Sequence, residues 1–204
     1  DALDANAPGG PRFDTTTEED IGLDAKFVFN DSMVLDLTLN PDFSQVESDE
    51  PQVTVNERFE VQFPERRPFF VENADFFATD SILLFTRRIV DPEGGVRFTG
   101  RSGDYGFGTI LINDEAPGMN RDANDPLNGE KANIGILRGF RDISEQSRVG
   151  FFLSDRELGD GYNRVASLDA RLKLNDNWIT NMQLVGTDSE PTLGGDATTG
   201  YQRN

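Results

Sequence analysis

The stretch "GLDAKFVFNDSMVLDLTLN", residues 22–40, alternates apolar and polar side chains on either side of a short polar break. Leu23, Ala25, Phe27 and Phe29 fall on one face of an extended chain, and Asp24 and Lys26 on the other. After Asn30, Asp31 and Ser32 the pattern resumes, with Met33, Leu35, Leu37 and Leu39 set against Asp36 and Thr38. A period of two predicts strands, and the polar break predicts a tight hairpin with one apolar and one charged face.

The pattern recurs along the chain. "VRFTGR" and "YGFGTILI" flank Ser102, Gly103 and Asp104; "ANIGILRGF" and "SRVGFFLS" flank "RDISEQ"; "RVASLDARLKL" and "WITNMQLV" flank Asn175, Asp176 and Asn177. Alternation alone fits a soluble sandwich as well as a barrel. Connection lengths separate the two. Short turns near residues 30–32, 102–104, 141–146 and 175–177 alternate with long links near 40–95, 113–131, 154–163 and 186 onward. Alternating short and long connections between amphipathic strands is the pattern of outer-membrane barrels. On that reading Leu35, Leu37, Leu39, Ile134, Ile136, Phe151, Leu168 and Leu172 face lipid, and Trp178 and Tyr162 suit an aromatic girdle. Arg97, Arg101, Asp169, Arg171 and Lys173 then suit a wet interior.

Composition narrows the chemistry. With no Cys and no His, thiol nucleophiles, Ser-His-Asp triads and Cys- or His-ligated zinc are excluded from these residues. Carboxylates outnumber Lys and Arg 37 to 19, giving a formal charge of −18, so nucleic acid is a poor partner. The longest apolar run, "ILLF", is far short of the roughly 18 residues that suggest a membrane helix, so any membrane span must be made of strands. So many acidic residues make carboxylate pairs worthless as evidence of glycosidase chemistry, and no catalytic residue is assigned. The expected fold is all-β: an antiparallel transmembrane β-barrel, partial, of about eight strands. Because the first connection is a short turn, an odd number of strands is expected upstream, making residues 1–204 one internal barrel fragment.

Three motifs carry a resemblance. "NPDFSQVESD" at residues 40–49, "FPERRPFFVE" at 63–72 and "TRRI" at 86–89 match a family pattern of N-P-D-F-x-Q-V-E-x-D, F-P-E-[KR]-R-P-F-F-x-E and [ST]-R-R-I. The first half of the chain thus resembles an uncharacterised bacterial outer-membrane β-barrel domain family found downstream of a family-nine carbohydrate-binding-like domain. The second half matches only as barrel hairpins. The resemblance implies a Gram-negative outer-membrane location, lipid as the main partner, and a carbohydrate ligand reached through the upstream domain. It brings no catalytic residues.

The link across residues 40–95 is too long for a structureless loop. Prolines 41, 51, 64 and 68 break any long strand, while its phenylalanines resist free solvation. An inward-folded, plug-like segment resolves the conflict; an external cap and a binding site are the other placements. Phe63, Phe69, Phe70, Phe76 and Phe77 are expected to cluster, with Arg66 and Arg67 reaching Asp24, Asp36 or Asp169. Glu65, Arg66, Arg67, Phe69, Phe70, Glu72, Arg87 and Arg88 are the candidate lumen or plug residues. Asp42, Gln45, Glu47 and Asp49 form a candidate acidic loop, as do Asp122, Asn124 and Asn128 further on. Both offer oxygen ligands of the kind calcium takes, but not a calcium loop's spacing, and solvated acidic turns explain them better. No cofactor is expected. The competing class is a soluble β-rich carbohydrate-binding or hydrolytic domain, and oligomeric state is left open.

Overall fold

The computed structural model describes residues 2–4, 12–14, 21–41, 64–119 and 121–191. Strands β1 (Ala2–Asp4) and β2 (Arg12–Asp14) pair antiparallel as a small ribbon. The main sheet contains β3 (Leu23–Phe29), β4 (Met33–Leu39), β5 (Pro92–Ser102), β6 (Tyr105–Asp114), β7 (Ala132–Ser144), β8 (Ser147–Leu158), β9 (Gly161–Asn175) and β10 (Trp178–Glu190). Each strand pairs antiparallel with its neighbours in sequence, giving one unclosed eight-stranded meander edged by β3 and β10. The described residues are thus all-β, with almost no helix.

The hairpin read from residues 22–40 forms with Lys26 opposite Asp36 and Phe27 opposite Leu35. Its turn holds Asn30 and Asp31 at φ 49° and 53°, a left-handed geometry that Asn and Asp tolerate better than most residues. The turns at Gly103–Asp104, Glu145–Gln146 and Asp176–Asn177 lie at the same end of the sheet.

One expected link is absent. Residues 154–163, read as a long loop, continue β8 and β9 and leave only Gly159 and Asp160 as the turn. The reason is visible in the ladder. Asp155 and Glu157 alternate with Ser154 and Arg156, so both faces are polar and the period of two vanishes from the hydropathy. Backbone pairing persists where the side-chain signal does not: Asp155 pairs with Arg164 and Glu157 with Tyr162.

The two faces differ sharply. Cross-strand rows such as Phe107–Gly139–Phe151–Leu168–Leu184 and Thr109–Leu137–Leu153–Ala166–Gly186 make one face apolar. It stays open to solvent, with Leu184 71% exposed, Leu168 61% and Leu111 56%. Toward the long-link end it gives way to a polar row of Asn113, Asn133, Glu157, Tyr162 and Glu190. On β9 the apolar band runs from Ala166 to Leu174, about nine residues, against the roughly 9–11 of a tilted membrane strand.

The core sits on the opposite, charged face. Residues 64–91 lie across it, and Phe69, Phe70, Phe77 and Ile89 pack with Ile110, Ile112, Ile136 and Phe152. Ile134 and Ile136, expected on the apolar face, belong instead to this covered side. In β7 both faces are uncharged from Ala132 to Leu137, with Gly135 and Leu137 on the other face, so hydropathy does not choose between them there; Arg138 is the first charge, and it shares a face with Ile134 and Ile136.

Candidate functional site

The covering segment begins as a turn that its own charges hold. Glu65 Oε1 accepts hydrogen bonds from the backbone N–H of Arg66 and Arg67 at 3.1 and 3.0 Å and from Arg67 Nε at 2.9 Å. Glu65 Oε2 accepts from Arg67 Nη2 at 2.7 Å and from the Thr86 hydroxyl at 2.6 Å. Arg67 is 1% exposed, lies 4.4 Å over the Phe70 ring, and donates to the carbonyls of Thr86 and Ile89. A buried guanidinium is tolerable only with this degree of pairing. Burial resists ionisation of Glu65, but the hydrogen bonds from Arg67 and Thr86 outweigh it and hold the carboxyl at about 2.

Arg67 is extended because Pro68 follows it, and Pro68 opens the single turn α1 (Pro68–Val71). Asn73, at φ 54°, reverses the chain into a 3-10 turn at Ala74–Phe77, and its Nδ2 donates to Thr99 Oγ1 at 3.2 Å. These turns aim Phe69 and Phe77 into the sheet. They land on glycines: a Cβ on Gly95 would stand 3.1 Å from Phe69 Cζ, and one on Gly108 would stand 2.8 Å from Phe77 Cζ. The strand glycines are sockets for the segment's rings.

Charged strand residues complete the arrangement. Arg97, 1% exposed, donates from Nε and Nη2 to Asp36 Oδ2 at 3.0 and 2.6 Å and from Nη1 to the Glu72 carbonyl, with its guanidinium 5.5 Å from the Phe69 ring. Lys26 pairs with Glu72 and lies 3.6 Å from Asp36. Arg138, 2% exposed, grips Asp169 with both terminal nitrogens at 2.5 and 2.8 Å. Gly150 makes room for it, since a Cβ there would stand 2.6 Å from Arg138 Nη1. Asp114, fully buried, ties down the far end of the segment by accepting from the N–H of Asp91 and Val90.

The expected partners therefore change. Asp36 and Asp169 take their arginines from the strands, Arg97 and Arg138, rather than from Arg66 and Arg67. Arg97 stands on the strand next to Asp36, and Arg138 reaches Asp169 across Gly150 of the intervening strand, so neither has to cross the phenylalanine layer. Arg66 is exposed, while Arg87 and Arg88 lie on a 3-10 turn at Thr86–Arg88 whose Thr86 joins the Glu65 cluster. Glu72 contributes through both its carbonyl and its carboxylate. Phe63, Asp42, Gln45, Glu47 and Asp49 fall outside the described residues. In the other acidic stretch Asp125 is occupied by Arg121 at 2.9 Å and by the Leu127 N–H at 2.8 Å. Among the described residues no group of carboxylates is placed to hold a metal ion. Sequence reading missed the glycine sockets, for which the available signal is glycine recurring at alternate strand positions, as at Gly106 and Gly108.

Taken together, fold and site define an amphipathic antiparallel sheet whose charged face is closed by an arginine-anchored, phenylalanine-rich segment. In sequence, residues 6–99 match the model of a domain of unknown function, DUF5916, spanning β2 to β4, the covering segment and most of β5. No curated protein and no solved structure matches the chain.

Proposed function

We propose that these residues form part of an outer-membrane β-barrel of a Gram-negative bacterium, a scaffold or channel whose polar interior is occluded by residues 64–91. The observation that carries this reading is the inversion of the sheet. A water-soluble sheet protein buries its apolar face and wets the other. Here the segment covers the charged face, while Leu23, Leu111, Leu168 and Leu184 on the apolar face stay more than half exposed. Lipid is the solvent that suits such a face, and closing the sheet with further strands would remove the open edges at β3 and β10. Any link to carbohydrate rests on the resemblance and on a domain outside these residues.

A soluble carbohydrate-binding or hydrolytic domain is the competing class, and it would need another layer over the apolar face. The deciding experiment uses the full-length protein. Cells are fractionated, and conductance is recorded in planar bilayers with and without residues 63–77. Outer-membrane partitioning with conductance that rises on deletion is the expected result. Recovery in the aqueous fraction overturns the barrel. Unchanged conductance removes the plug role.

A further inference from the structure

We propose that Arg148 and Arg171 form an anion site on the charged face near the short turns, taking a small solute that carries a phosphate or carboxylate group. The chain as a whole is strongly acidic, yet this part of the face carries Arg101, Arg138, Arg148, Arg171 and Lys173 against Asp142 and Asp169. Asp169 is consumed by Arg138. Asp142 is shared, 2.7 Å from Arg101 and 2.6 Å from Arg148. Lys173 lies 3.5 Å from Asp176 on the turn. Among the described residues no carboxylate pairs with Arg171.

Geometry makes the surplus specific. Arg148 and Arg171 are direct partners in the β8–β9 ladder, so both side chains rise from the same face. Like charges directly opposite each other in a ladder are destabilising, and two arginines sharing one anion remove that cost. Arg148 is fixed in advance: its guanidinium stacks 3.9 Å from the Phe140 ring and its Nε is held by Asp142. Its two terminal nitrogens find no protein acceptor among the described residues. Asn181, the β10 partner of Arg171, extends the row with an exposed amide.

The covering segment stops short of this row. It touches Phe140 through Phe76, at 5.9 Å, and Gln183 through the Ser81 N–H, at 2.6 Å. Arg171 and Asn181 lie beyond those contacts and are exposed. Because the row is on the face opposite the apolar band, the ligand is a dissolved anion rather than a lipid headgroup. Planar guanidinium forks suit the oxygens of phosphate and carboxylate and are poorly satisfied by a spherical halide.

The test uses the full-length protein in detergent, with inorganic phosphate as probe and potassium chloride at equal ionic strength as control. Calorimetric titration should show saturable phosphate binding that weakens about tenfold or more in Arg171→Gln. Asn181→Ala should lower affinity less and leave the fold intact. Without phosphate, Arg171→Gln should melt at or above the wild-type temperature, because the opposed charges are gone. Phosphate and chloride acting alike on the wild type would overturn the site, as would a folded Arg171→Gln that binds phosphate as the wild type does. The site does not depend on closure of the sheet, so this test and the bilayer experiment fail separately.

Discussion

Arg97 and Asp36 face each other across β4 and β5, with Arg97 Nη2 2.6 Å from Asp36 Oδ2, and both side chains are buried beneath the segment that carries Phe69. The pair belongs to the sheet, yet Arg97 also holds the Glu72 carbonyl, so one guanidinium ties the hairpin read first in the sequence to the segment that covers it.

Removing one member should be much worse than removing both. Arg97→Met leaves the Asp36 carboxylate buried beside only Lys26 and should cost about 3–5 kcal/mol, whereas Arg97→Met with Asp36→Leu should cost much less. Equilibrium unfolding of the full-length protein in detergent measures both, and equal losses would refute the pairing argument.

Glu65 predicts an acid-sensitive clasp. Its pKa of about 2 in the fold lies below the ordinary glutamate value of 4.5, so its contribution is complete above about 4.5 and is lost as pH falls toward 2. The shift corresponds to about 3 kcal/mol at most. Glu65→Gln should therefore be less stable than wild type at neutral pH, with the gap closing across that acid window. A gap that widened on acidification would contradict the sign.

Filling a socket should expel its ring. Gly108→Val places atoms where Phe77 now sits and should cost about 1–3 kcal/mol, as overpacking does. Limited proteolysis should then cut within residues 64–91 while the strands stay protected. Gly186→Val, at a position with nothing within 4 Å of an added Cβ, is the control.

Charge on the apolar face should act by depth if that face meets lipid. Leu168→Arg lies within the apolar rows and should cost about 2–4 kcal/mol of folding into lipid vesicles; Asn133→Arg, in the polar boundary row, should cost about 0–1. Equal costs at the two positions would argue that the band is not immersed.

The sequence by itself determined the strands whose faces differ in polarity. Residues 22–40, 96–112 and 164–185 alternate with a period of two, and the turns at Asn30, Gly103 and Asp176 stand where polar and glycine residues interrupt it. It also marked residues 63–77 as a segment that neither strand nor open loop accommodates, because prolines forbid the one and phenylalanines the other. Tertiary structure alone decided three things. It decided that β8 and β9 continue through residues 154–163, since backbone pairing needs no hydropathy difference between faces. It decided that Ile134 and Ile136 lie on the charged side with Arg138, because residues 132–137 are uncharged on both faces and take their orientation from the register of the neighbouring strands. And it decided which arginine meets which carboxylate. Asp36 belongs to Arg97 and Asp169 to Arg138 because the ladder places them on adjoining or nearby strands of one face, a proximity that residues 61 and 31 positions apart in the chain acquire only when the sheet forms.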